Sequence, residues 1–363
     1  MKEFKIALLV FVIWRVLITI VMAIAPLLLP YRPSFANPEQ ISSFSYPHWI
    51  AASANFDGLH YLNIAKEGYE KIKLSQAFFP LYPVLIKLLS SLGFSLFFSG
   101  MFISNIALIL FLMLILRLFS RYTILALLLF PTSFFLTFIY TESLFLLLVI
   151  ATLYATNKEK WFWAVTLAML ASATRIVGVF LVPLILIEMW RMNKNWKHLL
   201  FACFGSLGLL SYMLYLQLQF HDALLFAHVQ SAFGAGRDTK FTLYPQVVFR
   251  YLKILISARP IDWKYFTYVQ ELLTGIIGLI TLALSSRKAN VSLVFFSLLA
   301  FLFPPLSGNF SSMGRYTLVC LPIFIYLGQK LERKEKLAWV WLGISTVLLF
   351  INLILFTQGY WVA

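Results

Sequence analysis

Charge is scarce in this chain. Only 12% of its 363 residues are Asp, Glu, Lys or Arg, whereas 61% are hydrophobic. That balance lies outside the range of water-soluble globular domains and inside that of proteins crossing a bilayer several times. Acids are scarcer than bases, with 14 Asp and Glu against 29 Lys and Arg. So few carboxylates, with five histidines and two cysteines scattered along the chain, give no set with metal-ligand spacing. A glycine-rich phosphate loop is also missing, as are internal repeats and low-complexity tracts. Cys203 and Cys320 both lie in apolar runs, which argues against a disulfide framework of the secreted type and makes them packing residues.

What is abundant is apolar sequence in long runs. The runs at 6–29, 96–116, 122–138, 142–157, 160–174, 176–190, 198–218, 266–286, 291–307, 316–329 and 337–357 predict about eleven transmembrane helices, because only hydrogen-bonded helices satisfy the backbone in hydrocarbon. The run 6–29 exceeds the apolar core of a cleaved signal, and Pro26 follows the small residues that would form its cleavage site, so it is read as a span. With the N-terminus inside, every predicted inward connection carries at least two basic residues. These are Lys2 and Lys5; Arg117 and Arg121; Lys158 and Lys160; Arg191, Lys194 and Lys197; Arg287 and Lys288; and the cluster at 330–336. The positive-inside rule accounts in this way for much of the net charge of +15 without nucleic acid as a partner. The expected architecture is therefore all-α and polytopic, a single integral membrane domain over 1–363 with two long outward loops that carry short interfacial helices.

Two outward segments, 30–95 and 219–265, are too long to be turns, and long polar loops on a rigid scaffold commonly carry binding and catalysis. In the first, Asp57 to Lys66 reads as a short helix closed by Gly68, with Asp57, His60, Tyr61 and Ile64 on one face. The stretch 84–92 is amphipathic and suits a position along the membrane interface.

The run Phe56-Asp57-Gly58-Leu59-His60-Tyr61 resembles the aromatic-Asp-Gly-x-His-Tyr signature of the PIG-V-like membrane mannosyltransferases. Phe78-Phe79-Pro80-Leu81-Tyr82-Pro83, Phe130-Pro131-Thr132-Ser133, Tyr140-Thr141-Glu142-Ser143, Ala173-Thr174-Arg175, Phe226-Ala227-His228-Val229-Gln230 and Gly314-Arg315-Tyr316 resemble later motifs of that family, in order. Phe56 stands where the family more often has Trp, which keeps an aromatic wall. The resemblance implies the GT-C class: an integral membrane glycosyltransferase that takes its sugar from a polyprenyl-phosphate donor, with its catalytic acid in the first outward segment.

The residues support a chemistry of their own. Glycosyl transfer with inversion needs a carboxylate to accept the proton of the attacking hydroxyl, and Asp57 is the candidate base. Its position also fits a helix N-cap. A departing lipid phosphate needs cations; Arg175 and Arg315 each stand alone in a short outward turn, suited either to phosphate or to snorkelling toward headgroups. Glu142 reads as a sugar-binding group or as part of a helix cap. His60 and Tyr61, one turn from Asp57, are candidates for lining the sugar site. His228 and Gln230 belong to a segment running on through Gly234, Gly236, Arg237, Asp238 and Lys240 that is suited to closing over a donor, and Tyr316 adjoins Arg315. Arg15, inside the first span, fits headgroup binding, snorkelling or helix pairing.

The expectation is an enzyme: a metal-independent hexosyltransferase, most specifically a mannosyltransferase, with no cofactor beyond the donor lipid. Its partners would be that donor, a lipid or glycan acceptor and membrane lipids, at the outer face of a prokaryotic plasma membrane, or in the endoplasmic reticulum of a eukaryote. A transporter or flippase is the alternative from another class and predicts ionisable groups within span interiors. A noncatalytic envelope-assembly scaffold is a further one.

Overall fold

The computed structural model describes residues 2–233, 241–257, 263–286 and 289–362. Among these residues the structure is helical, with α-helices and short 3-10 turns and no strand. Five helices are long and apolar enough to cross a membrane: Lys2–Leu28, Leu96–Leu118, Trp196–Phe220, Trp263–Ser285 and Lys336–Thr357. At about 1.5 Å per residue, even the shortest of them exceeds the roughly 30 Å of a hydrocarbon core. The chain reads as a membrane protein on that basis.

The other apolar runs form shorter or broken helices, and prolines mark most of the breaks. In 122–138 the helix Arg121–Leu128 stops ahead of Pro131, and a 3-10 turn, Ser133–Thr137, follows. In 291–307 the helix Val291–Leu302 gives way to a 3-10 turn at Pro304–Ser307. The run 316–329 divides into Met313–Val319 and Leu321–Glu332, with Pro322 in the first turn of the second helix. Proline lacks the N–H that would continue a helix and restricts the residue before it, but fits a helical first turn.

The fold has two compact units. The first comprises Met1–Gly68, Tyr82–Leu144 and Phe324–Ala363, the second Tyr69–Leu81 and Phe145–Ile323. In the first unit, Lys2–Leu28 packs on Leu96–Leu118 and on Lys336–Thr357. Its buried residues Ala7, Trp14, Ile18, Met22 and Ala25 recur at helical spacing along one face. Leu9, Val12, Ile13 and Val16, on the rest of its surface, are exposed and apolar, as a helix bordering lipid requires. Arg15 donates to the carbonyl of Thr137 at 3.3 Å, so of the roles open to it the structure supplies helix pairing. Most of the amphipathic stretch 84–92 lies in a helix, Leu81–Ser90, that buries Tyr82, Pro83 and Ile86 and exposes Val84 and Leu88.

In the second unit, Trp161–Ser172 packs against the 3-10 turns Ile176–Phe180 and Cys203–Ser206 and against Leu207–Phe220. Gly208 permits the last contact. A Cβ there would sit 2.0 Å from the Met169 carbonyl oxygen and 2.6 Å from the Ala173 nitrogen. Ser172 Oγ ties the same crossing, donating to Gly205 O at 3.0 Å and accepting from Leu209 N at 3.3 Å. The outward segment 219–265, expected to carry short interfacial helices, has the short helix Leu225–His228 and a 14-residue helix, Tyr244–Ser257. Cys320 is buried, as a packing residue should be, whereas Cys203 is exposed, since its turn buries Gly205 instead; the packing role expected of Cys203 does not hold.

Since backbone atoms rather than a flexible side chain crowd Gly208, Gly208→Ala is expected to cost about 1–3 kcal/mol of stability. A lowered melting temperature of the detergent-purified variant checks this, and an unchanged melt would contradict the close crossing.

Candidate functional site

The segment carrying Asp57 is constrained on both sides by long-range hydrogen bonds. Asp57 begins the helix Asp57–Glu67, and Gly68 ends it at φ +79°, matching the short helix expected from the sequence. The N-cap reading of Asp57 needs correction. Phe56 occupies the cap position, at φ +56° and ψ −116°, and Asp57 is the first helical residue, where a carboxylate is favoured by the helix dipole. A positive φ in a bulky aromatic costs about 1–3 kcal/mol and persists only where surrounding structure enforces it. The surroundings here are aromatic. The Phe56 ring lies 4.7 Å from Phe35, 5.4 Å from Phe356 and 5.3 Å from Trp361, centroid to centroid.

Hydrogen bonds hold the backbone on either side. Asn55 Nδ2 donates to Phe356 O at 2.8 Å, and Tyr140 Oη donates to Asn55 O at 2.7 Å. The Ile139 amide donates to Ser53 O at 3.1 Å. Gly58 completes the fit, because a Cβ would lie 3.3 Å from the Ile139 carbonyl oxygen and 3.5 Å from both Ser53 O and Ala54 Cβ. The Asp57 segment is thus docked on residues 139–140, two positions before Glu142.

Glu142 is fully buried and starts the helix Glu142–Asn157. The turn leading into it is closed as well, with Tyr140, Thr141 and Ser143 at 1% exposure or less. Tyr82 connects this turn to the Asp57 helix. Its hydroxyl donates to Gly100 O at 2.9 Å and lies 2.7 Å from Ser104 Oγ, which donates to Tyr140 O at 3.0 Å. The Tyr61 ring meets the Tyr82 ring edge-on at 5.2 Å. Burial raises the Tyr82 phenol far above its ordinary range, and Tyr61 and Glu142 are near enough to add to the shift. Tyr61 and Glu142 therefore both lie close to Tyr82, and His60 lies close to Asp57. Burial lowers the His60 pKa below its ordinary 6.5, with Asp57 acting in the opposite direction, so the imidazole is neutral at pH 7.

The second unit holds the other candidates. Arg175 is extended, at φ −152° and ψ 145°, between Trp161–Ser172 and the turn Ile176–Phe180. Gly178 allows that tight path: a Cβ there would lie 2.3 Å from the Ala171 carbonyl oxygen, which accepts from the Arg175 amide at 3.1 Å. The Arg175 guanidinium carbon lies 5.6 Å from the Tyr316 ring centroid and 5.8 Å from that of Phe145, both within cation–π range. Arg315, next in the chain to Tyr316, is only 6% exposed within Met313–Val319. A snorkelling arginine keeps its head in the headgroup region, so that reading does not suit Arg315. Tyr316 thus meets Arg175 through its ring and Arg315 through the chain.

His228 and Gln230 have local partners. His228 Nδ1 is 2.7 Å from Asp222 Oδ2, and that hydrogen bond is the main reason the Asp222 carboxyl lies below its usual range. Gln230 Nε2 donates to Phe226 O at 3.3 Å. Phe226 anchors the element, buried against Phe79 and Tyr212. The glycine-containing continuation through Gly234, Gly236, Arg237, Asp238 and Lys240 lies outside the described residues, as do Asp262, Arg287 and Lys288. Among the described residues, no three His, Cys, Asp or Glu side chains gather as a metal site.

Sequence reasoning assigned no role to Asn55, Tyr82 or Tyr140, which brace the Asp57 segment, or to Glu271 and Tyr251. Glu271 had a visible signal as the one acid in the apolar run 266–286. The braces had none, because their partners are mostly backbone carbonyls remote in sequence.

A His60 pKa below 6.5 makes stability fall with acidification. Above pH 6.5 both folded and unfolded states hold a neutral ring; below it the unfolded state takes up the proton first. Stability is expected to fall below pH 6.5, by at most about 1.4 kcal/mol per pH unit for one proton, seen as a lowered melting temperature, and His60→Gln should flatten that part of the curve. An unaltered slope in the variant would refute the assignment. No protein-family model, no curated protein and no solved structure matches the chain, so a functional reading rests on these residues and their geometry.

Proposed function

We propose that the chain is a GT-C-type inverting glycosyltransferase that moves a hexose, most specifically mannose, from a polyprenyl-phosphate donor to a lipid or glycan acceptor. The observation that carries the reading is the enforced placement of Asp57 at a helix start, behind a strained Phe56 and docked beside the Glu142 turn. Purely structural acids seldom need a backbone held at a disfavoured angle, and such strain clusters at functional sites.

In the proposed reaction, the acceptor oxygen attacks the anomeric carbon as the bond from that carbon to the phosphate oxygen breaks. Asp57 takes the acceptor proton, and the polyprenyl phosphate leaves with its negative charge. Arg175 and Arg315 bind the phosphate, since guanidinium forks suit its oxygens. His60, Tyr61 and Glu142 bind sugar hydroxyls, and Tyr316 stacks behind Arg175. His228 and Gln230 contribute from the second outward segment. The reading includes the topology of about eleven spans, with short and broken helices completing the crossings. It places the chemistry on the outer face of a prokaryotic plasma membrane and uses no metal. Glu188 and Glu271 are buried within helices, as the transporter reading predicts, but both carboxylates accept hydrogen bonds from neighbouring protein groups, which gives them structural employment.

Sugar transfer from radiolabelled polyprenyl-phosphate mannose, measured in proteoliposomes with a crude lipid and glycan acceptor fraction, tests the proposal. Asp57→Asn is expected to lower the rate by about 10²–10⁴-fold while donor binding persists, the usual range for loss of a general base. Equal rates for variant and wild type would remove Asp57 from the chemistry. Activity that a chelator abolished and a divalent cation restored would overturn metal independence.

A further inference from the structure

The segment leading into Arg315 is held by a buried acid and a buried phenol. Glu271, 4% exposed, projects from Trp263–Ser285, and Tyr251, 2% exposed, from Tyr244–Ser257. Tyr251 Oη donates to Glu271 Oε2 at 2.7 Å, while Glu271 Oε1 accepts from the Ser312 amide at 3.2 Å. The Tyr251 oxygen in turn accepts from the Phe310 amide at 3.1 Å. Two donors on two carboxyl oxygens match an ionised carboxylate. Burial, with Glu271 adding to it, raises the Tyr251 phenol well above its usual range, so the hydroxyl keeps the proton it donates.

These bonds grip a turn with unusual backbone. Ser312 sits at φ +66° directly before the helix Met313–Val319, and Asn309 Oδ1 accepts from Ser311 N at 3.0 Å. The amides of Arg315 and Tyr316 both donate to Ser312 O, at 2.9 and 3.2 Å. The position of Ser312 therefore sets the start of the helix that carries Arg315. Helix Tyr244–Ser257 is itself fastened nearby: Arg250 Nη1 donates to Gly308 O at 2.6 Å, and Tyr244 Oη donates to Gly275 O at 2.9 Å.

We propose that Glu271 and Tyr251 are positioning residues for Arg315, tethering the turn 309–312 so that the guanidinium is aimed before a lipid phosphate arrives. The inference rests on the reading of Arg315 as a phosphate-binding group. Its physical basis is preorganisation: a cation already held in place loses less freedom on binding than one that must be ordered by its ligand. Neither residue touches the reacting atoms. Glutamine at 271 weakens the tether: with its oxygen on Ser312 N its NH2 can only donate to the Tyr251 oxygen, which already accepts from Phe310 N, and the phenol proton loses the carboxylate that accepts it.

Two measurements on the full-length protein test this separately from the transferase reading. Hydrogen exchange followed by mass spectrometry should show peptides over 308–318 exchanging about tenfold faster in Glu271→Gln and in the milder Tyr251→Phe, with peptides over 336–357 unchanged. Steady-state transfer should show the KM for polyprenyl-phosphate mannose raised about tenfold in both variants with kcat within about twofold, and no further rise when Glu271→Gln is added to Arg315→Gln. Unchanged exchange over 308–318, exchange accelerated everywhere, or a KM rise that simply multiplies with that of Arg315→Gln would each overturn the inference. If the wild type transfers no sugar, the role of Arg315 in phosphate binding falls with the transferase reading, and the exchange result alone upholds or removes the tether.

Discussion

The docking of the Asn55–Gly58 backbone onto residues 139–140 is the constraint on which the first unit turns. Three backbone carbonyls take part, those of Ser53, Asn55 and Phe356, and each accepts from a group far away in sequence. In an apolar interior an unsatisfied carbonyl or amide is expensive, so these bonds are close to obligatory once the helices pack. They hold Phe56 at its disfavoured angle, and Phe56 in turn sets where Asp57 starts its helix. Tyr82 and Ser104 extend the same logic to the carbonyl of Tyr140, so that the turn before Glu142 is fixed from two directions.

The second unit uses the same physics with different parts. Its helices come together where glycines remove side chains: Gly208 against Met169 and Ala173, Gly178 against Ala171. Close backbone approach then places Arg175 in an extended residue between two helical segments, its guanidinium near the Tyr316 ring. Small residues at helix crossings are a general feature of membrane helices, where packing rather than exclusion of water drives association. Buried Glu188 follows a related pattern at another crossing, accepting from Ser292 Oγ at 2.6 Å and pairing with Arg191 at 3.3 Å.

Much of this was legible in the residues. The short helix from Asp57, its termination at Gly68 and the start of a helix at Glu142 follow from local rules, since carboxylates favour first turns and glycine favours a left-handed terminus. Short helices were expected in the outward segment 219–265, but the bounds of Tyr244–Ser257 were not legible, because its apolar positions lie within a run of polar and aromatic residues. Nor were the breaks within 122–138 and 316–329 read as breaks, although Pro131 and Pro322 stood in view; hydropathy windows respond to composition and overlook a missing N–H.

The sequence by itself determined that the chain is helical and apolar enough for a membrane, and it singled out Asp57, Glu142, Arg175 and Arg315 as polar groups in unusual settings. Those are properties of composition and short-range pattern. The tertiary structure alone decided that Phe56 rather than Asp57 caps the helix, that Arg175 meets Tyr316, that Arg315 is enclosed, and that Glu271 and Tyr251 hold the turn before it. Each depends on hydrogen bonds or ring contacts between residues distant in sequence, and such pairings are chosen by how whole helices pack.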